Sequence, residues 1–254
     1  MFQAKNAEGV AMKRCHYILK YAGLSPLKWL VTLGVSFSLN VIPTAWADEL
    51  SDTADTVYML GDYGLGTYKS KLVGSNDTMG VVTYGIGTHA GQDKQLGVEY
   101  RVESQTAAFA LNQSKIASIW TSTIIRYRLW VFELGPVIGR AKVTASREDS
   151  EILDVVGSGY GGYFGVLLPV GKNSLIYMNA MSVSTSEVVD KKERVIALGP
   201  RLDAELGARI AITKKTLGAT LGYRRRSNSI TESGTAYAEL LTSTFIGIHA
   251  GFDF

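Results

Sequence analysis

A strict alternation of apolar and polar residues is the feature that most constrains the fold of this chain. Over 95–103, apolar residues alternate with glycine, glutamate and arginine. The same pattern closes the chain over 243–254, with Phe245 as its one exception. A period of two is the side-chain period of a β-strand, and no helical periodicity of useful length follows residue 48. The sequence from residue 48 onward therefore predicts one all-β domain.

The first 47 residues have the pattern of a targeting segment. Basic residues precede an apolar run over 29–42, which is shorter than the roughly 20 residues that a membrane-spanning helix needs. Pro43 and the small residues Ala45 and Ala47 follow, as at a signal-peptidase site. We therefore predict a signal peptide over 1–47, with Met12 as an alternative start.

Removing that segment changes what the composition implies. The net charge falls from +3 to −1, because 26 − 5 basic residues then stand against 23 − 1 acidic ones. The basic character of the whole chain therefore gives no reason to expect a nucleic-acid partner. The single cysteine, Cys15, also lies in the leader, so no disulfide is expected in the exported chain.

The closing residues 247–254, GIHAGFDF, alternate and end on the aromatic Phe254. In this the sequence resembles the small outer-membrane β-barrel proteins of Gram-negative bacteria, with no specific subfamily. The resemblance implies that residues 48–254 form a single closed antiparallel transmembrane β-barrel in the bacterial outer membrane, after signal-peptide-directed export. It also implies that the barrel-assembly machinery reads Phe254 as its assembly signal.

Short connections alternate with longer polar ones, as in such barrels. The short ones lie near 91–94, 129–130, 171–173 and 214–215, and the longer ones near 70–78, 104–114, 146–157, 186–193 and 227–236. These four turns and five loops connect ten strands, with eight as the alternative if one segment is split wrongly. The ten are expected roughly at 57–69, 79–90, 95–104, 115–128, 131–145, 158–170, 174–185, 194–213, 216–226 and 239–254.

Two hairpins predict which charged residues face each other inside the barrel. Turns at 214–215 and 129–130 set the register, and opposite charges across a strand pair favour it. The predicted pairs are Glu205 with Arg224, Asp203 with Arg226, and Arg126 with Glu133. The second turn also places Tyr127 opposite Phe132 on the lipid side.

By the same parity, six acidic residues and seven arginines point into the lumen. They are Asp62, Glu99, Glu103, Glu133, Asp203, Glu205, Arg101, Arg126, Arg128, Arg201, Arg209, Arg224 and Arg226. Gly85 and Gly87 face inward beside Arg101 and Glu99 and are expected to leave room for long side chains. Balanced charges in a narrow barrel are expected to pair and to occlude much of the lumen. The alternative is a narrow porin-like channel for ions or small solutes.

Three basic residues, Arg140, Lys142 and Arg225, are expected to gather with Arg224 and Arg226 near the outer rim. Guanidinium and ammonium groups there can bind the phosphates of lipopolysaccharide. The alternative is a solvated strand end, or pairing of Arg224 and Arg226 inside the lumen. The sequence thus favours a structural or surface-contact protein whose partners are outer-membrane lipids and lipopolysaccharide, and it leaves the oligomeric state open.

No catalytic, cofactor or metal site is expected. The exported histidines, His89 and His249, fall near periplasmic strand ends without a nucleophile and a carboxylate at a suggestive spacing. The glycines of 157–162 match the spacing of a dinucleotide-binding loop, but a strand pattern follows them, so we predict strand glycines. The acidic stretch 148–154 lacks the oxygen spacing of a calcium loop and is expected to be solvated.

Overall fold

The computed structural model describes residues 57–90, 95–110, 113–148, 150–170, 174–190, 192–213 and 217–252. The predicted signal peptide, the alternative start at Met12 and the terminal Phe254 lie outside these residues, as do the turns expected at 91–94, 171–173 and 214–215. In the part of the chain that is described, no helix has the length and apolar character needed to span a membrane.

The described chain is built almost entirely of β-strands. They are β1 (Val57–Ser70), β2 (Ser75–Ala90), β3 (Leu96–Phe109), β4 (Ser114–Leu129), β5 (Phe132–Arg147), β6 (Ser150–Pro169), β7 (Ser174–Thr185), β8 (Val188–Val189), β9 (Val195–Leu198), β10 (Arg201–Thr213), β11 (Leu217–Glu232) and β12 (Thr235–Phe252).

Ten of these strands close into one antiparallel barrel. Consecutive strands pair from β1 to β7, β7 pairs with β10, and β11 and β12 follow in order. The ring closes where β12 pairs with β1, from Val57 opposite Phe252 to Ser70 opposite Glu239. The predicted fold class and the ten strands are confirmed, and the eight-strand alternative is wrong. We call the end with Val57 and Phe252 the terminal end, and the opposite end the distal end.

The short strands β8 and β9 form a hairpin at the distal end, outside the ring. β9 pairs with the last residues of β11, from Ile230 to Glu232. The strand predicted over 194–213 corresponds to β9 and β10, which are separated at Gly199 and Pro200. Proline has no N–H to donate to a strand ladder, so the ladder is interrupted there.

The stagger of the strands follows from tracing paired residues once around the ring. A path that leaves β2 at Thr78 returns to β2 at Ala90, twelve residues farther along the strand. For ten strands this stagger corresponds to a tilt of about 40° and a radius of roughly 10 Å. Side chains can fill an interior of that size.

The outer surface of the barrel is apolar, and its interior carries the charges. Tyr100, Leu206 and Ile248 expose 48%, 54% and 62% of their surface, whereas Glu99 exposes only 1%. This is the inverse of a soluble domain, and it suits a barrel surrounded by hydrocarbon. We call the outward-facing apolar residues the apolar belt. It includes Met59, Tyr63, Leu65, Val82, Tyr84, Ile86, Val98, Tyr100, Ile125, Leu134, Ile138, Phe164, Met178, Leu206, Leu221, Tyr223, Ile246 and Ile248.

Several strands extend farther toward the distal end than the sequence predicts. Most residues of the long connections expected over 104–114, 146–157 and 227–236 belong to strands. Alternate residues in these segments, such as Leu153 and Ile230, are buried inside the barrel. The expected long loops are wrong, because their polar residues lie on strand ends that extend beyond the apolar belt.

An apolar cluster occupies the distal half of the interior. Phe109 and Trp120 belong to it, together with Val73 from the connection between β1 and β2. Ile196 and Leu198 of the β8–β9 hairpin are fully buried against it. The hairpin therefore covers the distal end of the core, an arrangement that the charge pattern of the sequence does not predict.

Candidate functional site in the barrel interior

Two predicted ion pairs lie side by side on β10 and β11. In the register of these strands, Glu205 is opposite Arg224 and Asp203 is opposite Arg226. Nη2 of Arg224 lies 3.0 Å from Oε2 of Glu205, and Nε of Arg226 lies 2.7 Å from Oδ1 of Asp203. The structure thus brings each of these four residues to the partner that the strand parity gives it.

The hairpin of β4 and β5 differs from the predicted register. The expected pair of Tyr127 with Phe132 is wrong, because Tyr127 is opposite Leu134. The turn comprises Trp130 and Val131, and Trp130 has a left-handed backbone conformation with φ of 56°. Moving the turn by one residue shifts the register by two, and a shift by two leaves every side chain on its predicted face.

Glu133 consequently binds two arginines. Arg128, which is directly opposite, lies 2.9 Å away, while Arg126 reaches Glu133 diagonally at 3.4 Å. The hydroxyl of Tyr163 also donates a hydrogen bond to Glu133, at 3.4 Å. Arg126 and Glu133 therefore form an ion pair, but the prediction that they lie directly opposite each other is wrong.

Glu99 is the centre of a second cluster, nearer the terminal end. Its Oε1 accepts a hydrogen bond from Arg101 at 2.8 Å, and its Oε2 accepts one from the hydroxyl of Tyr58 at 2.6 Å. Arg126 lies 3.2 Å from the same carboxylate and also contacts the Tyr58 hydroxyl. Because Arg126 contacts both Glu99 and Glu133, it links the two carboxylates in one network.

A third cluster spans the barrel near its centre. Glu103 of β3 makes a two-pronged contact with Arg226 and binds Arg201 at 3.2 Å. Arg201 also lies 2.6 Å from Asp203. Strand parity places Glu103 and Arg201 in the lumen but does not predict their partners, because parity carries no information about contacts across the lumen.

Arg224 connects this centre to the rest of the network. Both of its terminal nitrogens bind the carboxylate of Asp62, at 3.1 and 3.2 Å, and Nη1 also donates to Thr83. Glu205, its partner on β10, lies 3.9 Å from Arg101. The charged residues of the interior thus form a nearly continuous chain of ion pairs from the terminal half to the centre.

Aromatic rings support two of these arginines. The guanidinium carbon of Arg201 lies 4.5 Å from the ring centre of Trp120, and that of Arg224 lies 4.5 Å from the ring centre of Phe245. Such cation–π contacts stabilise a guanidinium group away from water. Phe245, the exception to the apolar face of the last strand, is therefore an inward residue that packs under a buried charge.

The inward glycines make room for rings more than for charges. A Cβ atom at Gly87 would collide with the ring of Tyr58, the residue that binds Glu99. Gly222 leaves space for the ring of Phe245 in the same way, and Gly207 for that of Tyr177. The sequence predicts that Gly87 makes room for the long side chain of Glu99. Gly87 instead makes room for the ring of Tyr58.

The terminal half of the interior contains two histidines and a cavity. The rings of His89 and His249 stack on that of Tyr58, with centres 5.2 and 5.4 Å apart. Next to them lies a cavity of about 90 Å³ whose lining includes Arg128 and Arg209. Both histidines therefore lie inside the barrel near its terminal end, where the sequence places them.

The three basic residues proposed for lipid contact face outward but are not together. Arg140 and Lys142 are exposed on β5, directly beyond the belt residue Ile138. Arg225 is exposed on β11, four strands away around the ring. Arg224 and Arg226 point into the lumen, so the expected gathering of five basic residues at the rim is wrong. Side chains alternate between the two faces of a strand, which separates Arg225 from its two neighbours.

The β8–β9 hairpin is held at the distal end by Arg194. This residue donates hydrogen bonds to Asp190, to Glu232 of β11 at 2.5 Å and to the carbonyl of Ile152 in β6 at 2.7 Å. Its hydrogen bond lowers the pKa of the Asp190 carboxyl. The sequence offers no sign of this clamp, because Glu232 and Ile152 are 38 and 42 residues away from Arg194 along the chain.

Two other sequence features are part of β6. The glycine-rich segment 157–162 is strand, and Cβ atoms at Gly159 and Gly161 would collide with the backbone of β7. Close strand packing therefore explains these two glycines, as predicted. Glu151 and Asp154 of the acidic stretch also lie on this strand. Among the described residues, no three His, Cys, Asp or Glu side chains are grouped as in a metal site.

No protein-family model matches the sequence, and no curated protein matches it either. Several solved structures are similar to this chain at low identity. Neisserial surface protein A is 15% identical, with a TM-score of 0.38, over 78% of this chain and 99% of its own. The outer membrane protease OmpT from Escherichia coli is 9% identical, with a TM-score of 0.47, over 79% and 98%. An outer membrane channel from Pseudomonas putida F1 is 11% identical, with a TM-score of 0.46, over 83% and 99%. The predicted fold class is confirmed by the closed ring of ten strands itself.

Proposed function

We propose that this chain is an integral protein of the bacterial outer membrane with a structural or surface-contact role, a closed interior and no enzymatic activity. The observation that carries the proposal is the burial of the interior. Glu99, Trp120 and Arg201 are only 1 to 2% exposed although they lie inside a barrel of ten strands. An ion passing through would have to separate several charge-assisted hydrogen bonds and then cross the apolar cluster.

The state of the interior carboxylates supports a structural role. Each of the six lies within 4 Å of at least one guanidinium group. A carboxylate held in this way is an acceptor for arginine and is poorly placed to exchange protons with a substrate. The interior charges therefore serve to hold the walls of the barrel together.

Planar-bilayer recording tests whether the interior is closed. The purified protein is expected to give no reproducible conductance steps, because the ion pairs and the apolar cluster fill the lumen. Steps that change in size with Glu205→Gln, and not with Glu187→Gln at an exposed position, would contradict the closed interior. The exposed control keeps the same change of charge outside the lumen.

A narrow channel for ions or small solutes is the second candidate. The cavity of about 90 Å³ in the terminal half favours it, since water there could lead toward the charged centre. The distal apolar cluster favours the closed form. The same recording therefore separates the two candidates.

We further propose that Arg140 and Lys142 bind the phosphates of lipopolysaccharide. They are two residues apart on one face of β5, directly beyond the apolar belt, so both reach the level of lipid headgroups. Each basic residue near an anionic surface contributes about 1 kcal/mol to the free energy of binding. The double variant Arg140→Gln, Lys142→Gln is therefore expected to bind lipopolysaccharide about 30-fold more weakly. Arg225→Gln, a single charge on the other side of the ring, is expected to have a smaller effect. Unchanged binding by the double variant in a titration calorimetry experiment would disprove this contact.

A further inference from the structure

Glu239 is a buried acid outside the charged network of the barrel centre. It points inward from β12 near the distal end, opposite Ser70 of β1 and Asn228 of β11, and is only 2% exposed. The outward neighbour at this level on β1 is the charged Lys69, which lies beyond the belt residue Leu65. Glu239 is therefore in the part of β12 that extends past the apolar belt.

The carboxylate of Glu239 holds the connection between β1 and β2, residues 71–74. Its Oε1 accepts hydrogen bonds from the hydroxyl of Ser70 at 3.0 Å and from the backbone N–H of Leu72 at 3.3 Å. The same serine hydroxyl accepts a hydrogen bond from the backbone N–H of Val73 at 3.2 Å. Val73 is only 1% exposed and packs in the distal apolar cluster. The bonds of Glu239 thus keep this connection folded over the end of the core.

The second oxygen of Glu239 is buried as well. Oε2 of Glu239 and Oδ1 of Asn228 are both buried without a hydrogen-bond partner among the described residues. The two residues are directly opposite each other on adjacent strands, with both side chains pointing inward. A proton on the carboxyl group would make it a hydrogen-bond donor for Oδ1 of Asn228 and would give both oxygens a partner.

No described cation forms an ion pair with Glu239. The titratable or charged residues next along the neighbouring strands are Tyr68, two residues before Ser70 on β1, and Arg226, two residues before Asn228 on β11. The hydroxyl of Tyr68 interacts with Glu239, whereas Arg226 is bound to Glu103 and Asp203. Arg147 of β5 reaches the same connection through the carbonyl of Val73. Burial raises the pKa of Glu239 to about 7, since the ionised form loses its water there.

We propose that Glu239 is a proton switch that opens and closes the β1–β2 connection at the distal end of the barrel. With the proton bound, its hydroxyl donates to Oδ1 of Asn228 while its other oxygen holds Leu72 and Ser70, and the connection stays closed. With the proton released, a buried carboxylate without a counter-cation remains, and the connection opens to bring water to it. Val73 then leaves the apolar cluster.

Backbone amide exchange at Leu72 and Val73 tests this switch in the full-length protein. Rates are divided by the intrinsic chemical rates, so that only opening is compared. Between about pH 6 and about pH 8.5, opening is expected to increase about 10-fold, because the pKa of the Glu239 carboxyl would fall from about 7 in the closed connection to about 4 in the open one. Glu239→Gln keeps an N–H donor for Asn228 and has no charge, so its connection should stay closed at both pH values. Glu232→Gln, which removes a half-buried carboxylate that is paired with Arg194, should retain the pH dependence.

The carboxyl carbon resonance of Glu239 gives a second measurement. We expect the titration midpoint of this resonance to lie near neutral pH. The midpoint should be lower in Asn228→Ala, because that substitution removes the acceptor for the proton. A midpoint near 4, the usual value for an exposed glutamate, would overturn the proposal. Equal opening of the wild-type connection at both pH values, or the same pH dependence in Glu239→Gln, would overturn it as well.

Discussion

Replacing Glu103 with glutamine is expected to lower the free energy of unfolding by about 3 to 5 kcal/mol. Glu103 is only 3% exposed and binds both Arg201 and Arg226. The amide preserves the shape of the side chain but removes its charge. Two guanidinium groups then share the single carboxylate of Asp203 in a buried part of the interior. Equilibrium urea unfolding in lipid vesicles, followed by tryptophan fluorescence, measures this loss.

The matched control is Glu232→Gln. This change breaks the ion pair of Glu232 with Arg194, whose side chains are 21% and 24% exposed. Exposed pairs contribute less than about 1 kcal/mol, so the control should have a small effect. Adding Arg226→Met to Glu103→Gln is expected to recover part of the loss, because the unpaired guanidinium is removed as well. Equal losses for Glu103→Gln and Glu232→Gln would show that the interior ion pairs do not stabilise the barrel.

The faces of the strands could be predicted from the sequence because the side-chain period of a strand is two. Glu205 and Arg224 point inward as expected, and so do Arg126 and Glu133, although their hairpin is shifted by two residues. A shift by two changes neighbours and keeps faces. The position of a residue in the alternating pattern therefore predicts which face of the strand its side chain occupies, but it does not predict how far the side chain lies from a given partner.

The contacts across the lumen could not be predicted in this way. Glu103 meets Arg226 although β3 and β11 are four strands apart around the ring. Which walls approach each other depends on the stagger, the tilt and the radius of the barrel, and these emerge only when the ring closes. The sequence could supply the balance of charges but not the partner of each one.

The distal core was missed for a more local reason. If 194–213 formed one uninterrupted strand, Ile196 and Leu198 would have the same parity as Leu202 and would face lipid. The interruption at Gly199 and Pro200 instead turns Ile196 and Leu198 inward, where both are fully buried. A proline after a glycine is a sequence sign of such a break in a strand.

Replacing Ile248 with arginine is expected to lower the free energy of unfolding in lipid vesicles by about 2 to 4 kcal/mol. Ile248 is 62% exposed on the outer face of β12, between Gly61 of β1 and Ala219 of β11. An arginine there would have to enter hydrocarbon or draw water into it. On a soluble protein, an exposed position of this kind tolerates substitution within about 0.5 kcal/mol, so the size of the effect identifies the surrounding medium.

Ala238→Arg is the matched control for Ile248→Arg, because Ala238 is exposed on the same face of the same strand. It lies ten residues nearer the distal end, beyond the apolar belt, and is level with Ser229 of β11. The cost of a charge falls to about 0 to 1 kcal/mol away from the bilayer centre, so the control should be nearly neutral. A steep difference between the two positions is what a bilayer produces and a water-exposed surface does not. If both substitutions lowered the free energy of unfolding by small and equal amounts, water would surround the barrel at both positions. The proposed outer-membrane location would then be wrong.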